Sequence, residues 1–469
     1  MIRQGLLIFP DHQRGVDLLS RRVAGLSLLD RMVRTMARAG VEQLTVVVAP
    51  GAGHRVGQLP RKLHVEVQFL EWGTSAPLPF GPQGEGLLVV MAEYVHHHAS
   101  LTELVNGGLE GKDLVAQVSV PVQSGTFTQV CLAGDGVEFA PALGGENASS
   151  GAFLCSAEVA DATGELLAAR EEVWGWLSRR VRGRQLQLRP SALALWRRVE
   201  DRRSSRAAKN MLFSQVTKST SGFVSRHLNA RISIPISKAL IETGISPHLV
   251  TSLLVMPAGL ASAYLVTRPD QYAWLAWSGV LWQLAAILDR CDGEIARVKL
   301  SESKFGAWFD TLTDNIAYLC GYGGMLVGLH RVHPDSPFYV YLGVSAICAL
   351  LLTLGIMYSY ALKTGSGSLQ NYLVGLARHV PKDQKGGFYR FTERYGFLAK
   401  RDTFSFIYLV AALANVLEFM YWFTVVGIHL VAVGVLISQQ KMLQAYPPVE
   451  GQEAVPVPVS GTSSAEGRP

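Results

Sequence analysis

Asp289-Arg290-Cys291-Asp292-Gly293-Glu294-Ile295-Ala296-Arg297 follows directly on the apolar run Tyr272–Leu288, and the next apolar run, Phe305–Leu329, holds Gly306-Ala307-Trp308-Phe309-Asp310-Thr311-Leu312-Thr313-Asp314. An aspartate within hydrocarbon costs a few kcal/mol unless it is paired, hydrated or bound to a cation. Asp289 and Asp292 are three apart and Asp310 and Asp314 four apart, so each pair shares one helix face. A hairpin of the two helices brings all four carboxylates around one cavity. Hard oxygen ligands in a cluster suit Mg²⁺ or Mn²⁺, and two such ions side by side are a recurrent arrangement for displacement at phosphorus.

Four more apolar stretches accompany these two: Leu249–Val266, Phe338–Leu362, Phe404–Phe419 and Tyr421–Ser438. Several approach the roughly 20 residues needed to cross about 30 Å of hydrocarbon. Six spans are expected, with the division between the last two near Glu418. The segment Lys363–Asp402 is rich in Lys and Arg, whereas Arg268-Pro269-Asp270-Gln271 is short. Positive charge marks the cytoplasmic side, which places both termini in the cytoplasm. Trp274, Trp277, Tyr339, Tyr341, Tyr421 and Trp422 read as interface anchors. Arg202–Thr243 mixes Arg and Lys with apolar residues, as expected of a segment lying along lipid headgroups.

The first 200 residues have another character. Gln43–Val48 and Gly86–Val90 read as buried parallel strands, and an amphipathic stretch, Ser27–Ala39, precedes the first. This alternation favours an α/β domain with a mostly parallel sheet. Met1–Pro10 does not read as a signal peptide: it has one Arg, a short apolar run and a closing Pro. The expected organisation is an α/β domain at 1–200, a basic juxtamembrane segment at 201–245, an all-α six-helix transmembrane domain at 246–440 and a disordered tail at 441–469.

Composition agrees with a membrane protein. Of 469 residues 49% are hydrophobic and 17% charged, with a net charge of +6; the charged share lies below the usual quarter. Five cysteines without a CxxC spacing exclude a disulfide scaffold and a thiolate zinc site. No basic-aromatic stripe points to nucleic acid. His96-His97-His98 reads as a helix start or loop, because consecutive side chains do not converge on one ion.

The aspartate run resembles the signature of the CDP-alcohol phosphotransferases, DxxDGxxARx8GxxxDxxxD, with all eight fixed positions present. Ser246-Pro247-His248-Leu249-Val250-Thr251 is similar to that family's Pro-Asn-x-x-Thr, with His248 in place of Asn. The resemblance covers about 215–440 and implies an enzyme that displaces CMP from a CDP-linked donor by an alcohol hydroxyl, in phospholipid or polyol-phosphate biosynthesis. It implies two divalent ions (Mg²⁺ or Mn²⁺) on Asp289, Asp292 and Asp310, with Asp314 completing the site as the catalytic base. Asp289, Gly293, Ala296, Arg297 and Gly306 would receive the cytidine diphosphate, and a homodimer is the family's expected state. Arg401 is a candidate for binding an acceptor phosphate.

The N-terminal domain resembles sugar-phosphate nucleotidyltransferases through Gly25–Arg31, Ala39–Val47 and Ser150–Ser156. The join Ser221–Asn229 is similar to the linker of bifunctional inositol-phosphate cytidylyltransferase/CDP-inositol transferases. A triphosphate cradle needs a glycine-rich loop of backbone N–H groups. Here Phe9-Pro10-Asp11-His12-Gln13-Arg14-Gly15 has one Gly and a Pro, Ala24 precedes Gly25 where a Lys is expected, and Met91-Ala92-Glu93 stands where Gly-Asp would hold a metal. The domain is expected to keep the fold without the cradle. Two other readings stay open: a fully bifunctional enzyme that makes its own CDP-alcohol from CTP, and a membrane ion transporter or scaffold.

Overall fold

A computed structural model describes residues 2–11, 13–52, 65–74, 86–119, 128–133, 136–141, 147–170, 172–180, 184–192, 194–217, 222–363 and 401–445. The basic loop after Lys363 and most of the tail therefore lie outside the described residues. The chain divides into two compact units. One comprises Met1–Val216 with Ile241–Thr243 and Val298–Leu300, the other Thr217–Leu240, Gly244–Arg297 and Ser301–Pro469.

In the first unit four strands run parallel in the order Leu87–Met91, Gln4–Ile8, Gln43–Val48, Glu66–Glu71. The two stretches expected to be parallel strands thus flank the first strand. The sheet continues on the other side through Asn147–Cys155, antiparallel to Leu87–Met91, so the parallel-rich sheet has an antiparallel wing. Leu87–Met91 is buried along its whole length, as a strand covered on both faces must be. The helix Leu28–Arg38 starts where Ser27 accepts the amide proton of Asp30 and turns Leu28, Leu29, Met32, Val33 and Met36 inward, a one-sided stripe at helical spacing. At Gly151, φ is +73° and an added Cβ would collide with the Tyr94 ring; the register along this strand shifts between Ser149 and Phe153, a bulge only glycine accommodates here.

The helix Arg202–Ser214, read from sequence as the start of the headgroup segment, belongs to the first unit. It buries Ala208, Met211, Leu212 and Phe213, and Asp201 and Ser204 form a capping box at its start. Its apolar residues are core, and its arginines are the solvated face.

The second unit is helical. After the shorter Ala230–Leu240 come Pro247–Leu265, which passes through one π turn, then Tyr272–Val298, Lys304–Val332, Pro337–Lys363, Arg401–Leu413 and Leu417–Ala445. Three stretches are long and apolar enough to cross a membrane: Pro247–Leu265, Pro337–Ser359 and Leu417–Ile437. The chain is an integral membrane protein. The other three helices are too polar or, for Arg401–Leu413, too short among the described residues to qualify alone. The last two helices divide at Ala414–Val416, ahead of Glu418, where Asn415 takes a left-handed conformation with φ 59°, one that Asn tolerates better than most residues.

Packing in this unit is close. An added Cβ at Gly324 would collide with the carbonyl of Ala263, and one at Gly328 with that of Val266. The glycine pair at i and i+4 brings two helix backbones together, as small residues do between membrane helices. Trp282, Tyr322, Met325, Tyr408 and Tyr421 fill the core. Tyr421 is fully buried, not an interface anchor, while Trp277 and Tyr341 are exposed as anchors should be.

Candidate functional site

The helix Tyr272–Val298 runs six residues beyond Asp292, so the first half of the motif is helical throughout. A tight turn follows, in which Ser301 donates to the carbonyl of Ala296 at 2.9 Å. Ser303 then caps the next helix by accepting from the amide of Gly306 at 2.9 Å. This hairpin makes the two aspartate pairs face each other.

Carboxylate oxygens of Asp289, Asp292 and Asp310 lie within 4.8 Å of one another. The Oδ1 atoms of Asp289 and Asp310 are buried and have no hydrogen-bond partner among the described residues. Buried acceptors normally find a donor, and carboxylates so close repel each other. A divalent cation would supply these carboxylates with the missing partner and offset their repulsion, and an all-oxygen donor set suits a hard ion.

Asp314 stands one helical turn from Asp310 and is not one of the clustered three. It accepts from Arg401 Nη1, which also lies 2.7 Å from Asp289. Arg401 therefore sits inside the carboxylate cluster, with its guanidinium 5.9 Å from the Tyr318 ring centre. Sequence spacing alone placed it at the start of a distant helix.

Thr251, to which the sequence assigns no role, donates its hydroxyl to Asp292 Oδ2. The signal was the Ser246-Pro247 helix start, which fixes Thr251 one turn in. His248 packs edge-on against Phe305 and Phe309 at 5.6 and 5.5 Å, and a Cβ on Gly306 would stand 3.2 Å from its ring. A Cβ on Gly293 would stand 3.0 Å from Arg297 Nη1. The motif glycines therefore keep space beside the two basic side chains. Ala296 is half-buried on the same helix.

In the first unit, the residue after the first strand is bonded within the protein. Phe9 is buried and its carbonyl accepts from Trp72 Nε1 at 2.7 Å. A Cβ on Gly15, in the helix Gln13–Ser20, would collide with the carbonyl of Pro10, so this glycine allows a close backbone approach. Glu93 is 6% exposed and ion-paired to Arg198 at 2.8 Å. Arg198 also reaches Glu200 at 3.2 Å. His96 ends a buried strand, His97 caps the helix His98–Gly107 by accepting from the amide of Ala99, and His98 begins it. Burial pushes the His96 imidazole down to about 3 and that of His97 to about 4.

The CDP-alcohol phosphatidyltransferase family model matches residues 245–436. A protein named bifunctional IPC transferase and DIPP synthase from Rubrobacter xylanophilus is 33% identical over 322 residues, covering 66% of this chain and 72% of that protein. The aligned stretch is longer than the family match, so the likeness reaches outside it. A phosphatidylinositol phosphate synthase of Mycobacteroides abscessus is 32% identical over 106 residues, 23% of this chain and 46% of that one. Among solved structures, an inositol-1-phosphate CTP transferase from T. maritima matches with a TM-score of 0.36 at 15% identity, covering 47% of this chain and 98% of that one.

Proposed function

The chain belongs to the CDP-alcohol phosphatidyltransferase family, and we propose that it displaces CMP from a CDP-linked donor at the site built on Asp289, Asp292, Asp310 and Asp314. The observation that carries this reading is the meeting of three carboxylates with two buried, unpartnered oxygens. Asp289, Asp292 and Asp310 would hold two Mg²⁺ or Mn²⁺ ions, whose charge neutralises the donor diphosphate.

The protein's own residues do the rest. Arg297, above Gly293, offers a planar fork to a phosphate of the donor, and Gly293, Ala296 and Gly306 leave room for the nucleotide. Asp314 takes the proton of the acceptor hydroxyl as its oxygen bonds to phosphorus. The bond from phosphorus to the CMP oxygen breaks, and CMP leaves with that electron pair. Arg401, beside Asp314, receives an anionic group on the acceptor. That cation, and the likeness to a phosphatidylinositol phosphate synthase, favour an inositol-type phosphate as acceptor.

Six spans with both termini in the cytoplasm follow from the basic segments, and a homodimer from the family. The first unit would bind or regulate without transferring nucleotide: Pro10 offers no N–H, Phe9 is capped by Trp72, and Glu93 is neutralised by Arg198.

Replacing Asp289, Asp292 or Asp310 by Asn is expected to lower CMP release by at least a hundredfold, in protein that still inserts and folds. Turnover near the parent rate in any of the three would sink the assignment.

A further inference from the structure

The helical segment that precedes the apolar bundle, a π turn at Ser225–Asn229 running on into Ala230–Leu240, has its polar side inward. Ser225, Asn229, Ser233 and Ser237, at four-residue intervals, are each at most 7% exposed, whereas Phe223, Leu228 and Ile232 face outward. Each buried polar residue meets the helix that carries Asp289 and Asp292. Gln283 donates to Asn229 at 2.8 Å. Arg290 donates to Ser225 and, at 3.2 Å, to Ser233. The hydroxyls of Ser233 and Ser237 each donate at 2.7 Å to one oxygen of Glu294. Glu294 is fully buried and also ion-paired to Arg290 at 3.1 Å. At the head of the seam the Ser225 amide donates to Asp402 at 2.9 Å, whose neighbour Arg401 reaches Asp289.

The seam grips the aspartate helix beside its two ligands, and Thr251 grips Asp292 from another helix. Helix rotation is the motion that matters. Side chains lie about 5–6 Å from a helix axis, so a turn of about 10° displaces a carboxylate by about 1 Å. Metal ligation tolerates about 0.2 Å. A few degrees of freedom in this helix would separate Asp289 and Asp292 from Asp310.

We propose that Glu294, held by Ser233 and Ser237, is a positioning residue that sets the rotation of the aspartate helix and so the affinity of its carboxylates for a divalent cation. This rests on the metal reading of the preceding section. The seam acts without touching substrate, and its energy is large because a buried carboxylate that loses its donors is strongly destabilised.

The test uses the full chain in detergent and Mn²⁺ alone, with free Mn²⁺ measured by its paramagnetic resonance and no donor present. The Ser233→Ala/Ser237→Ala variant is expected to weaken Mn²⁺ binding at least tenfold and lower kcat at least tenfold, with donor KM within threefold. Glu294→Gln, which keeps one acceptor oxygen, should fall between this variant and the parent. Ser278→Ala removes a buried hydroxyl from the same helix, one bonded to Ser262 and Tyr408, and should keep the parent's Mn²⁺ affinity. Should the double variant not fold, the single serine variants carry the test, at three- to fivefold each. Mn²⁺ affinity within twofold of the parent in the serine variants, or an equal loss in Ser278→Ala, overturns the proposal. Asp292→Asn separates the two ideas. If it too binds Mn²⁺ like the parent, the metal reading falls and takes the seam with it; if it loses Mn²⁺ while the serine variants do not, only the seam falls.

Discussion

The guanidinium of Arg401 lies 2.7 Å from the carboxylate of Asp289 and, through the same nitrogen, donates to Asp314. One cation thus bridges a residue of the clustered three and the carboxylate assigned to proton transfer. An anionic acceptor entering here meets a positive group already aimed at the reacting centre. Replacing Arg401 by Ala should raise the acceptor KM at least tenfold, about 1.4 kcal/mol or more, with donor KM within threefold. Arg401→Lys should lie between, because an ammonium lacks the planar fork. Steady-state CMP release at varied acceptor and donor checks this; an unchanged acceptor KM refutes the assignment.

Thr251 makes one hydroxyl bond to a buried carboxylate. Bonds to charged groups contribute about 1.5–3 kcal/mol, so Thr251→Val should reduce turnover by roughly ten- to a hundredfold. Thr251→Ser, which keeps the donor, should recover most of it. Equal activity of the Val and Ser variants would mean that the bond does not matter.

The full chain should release no pyrophosphate from CTP with inositol phosphate or another sugar phosphate. The cradle is missing, and a guanidinium sits on Glu93. Losing such contacts to a triphosphate costs several kcal/mol, on the order of 10³-fold in rate. Pyrophosphate release at an ordinary enzymatic rate, abolished by Glu93→Gln, would establish the bifunctional reading instead.

His96 supplies a pH dependence. Its folded value is about 3, below the ordinary 6.5 of the unfolded chain. The stability it allows is therefore complete above pH 6.5 and is lost as pH falls towards 3, because the unfolded chain takes up the proton first. Between pH 7.5 and 5 the loss from this one group is about 2 kcal/mol, and His97 adds to it in the same direction. Hydrogen exchange of the strand Leu87–Met91 over this range reads the effect. His96→Phe should flatten the profile, and an unchanged slope in that variant would assign the effect elsewhere.

The aspartates were legible because their spacing is a statement about helix faces, and the hairpin realises it. The parallel strands were legible because Val46–Val48 and Val89–Val90 sit in unbroken apolar runs. Ser233, Ser237 and Glu294 were not. The two serines lie in the stretch read as a basic segment along the headgroups, and only the bundle reveals that their side is buried. Arg401 was legible as a candidate cation, but its pairing with Asp289 and Asp314 was not, because those partners lie on helices far away in sequence. Arg202–Ser214 was drawn into the membrane segment because arginines among apolar residues look alike on a lipid surface and on a domain surface.

The helices that carry the aspartates, Tyr272–Val298 and Lys304–Val332, are not among the three stretches apolar enough to cross alone. Asp, Arg and Glu at the centre of a span oppose its partition from the translocon into lipid by about 2.5–3.5 kcal/mol each for Asp and Arg. In the six-span reading, the chemistry-bearing hairpin therefore enters the bilayer as a dependent pair. It follows the self-sufficient Pro247–Leu265 and is retained by Pro337–Ser359. The glycine contact between Gly324 and Ala263 would form during biogenesis, not after it. Weakening the flanking helices would then show first as failed insertion of the hairpin, with the flanking spans still in place.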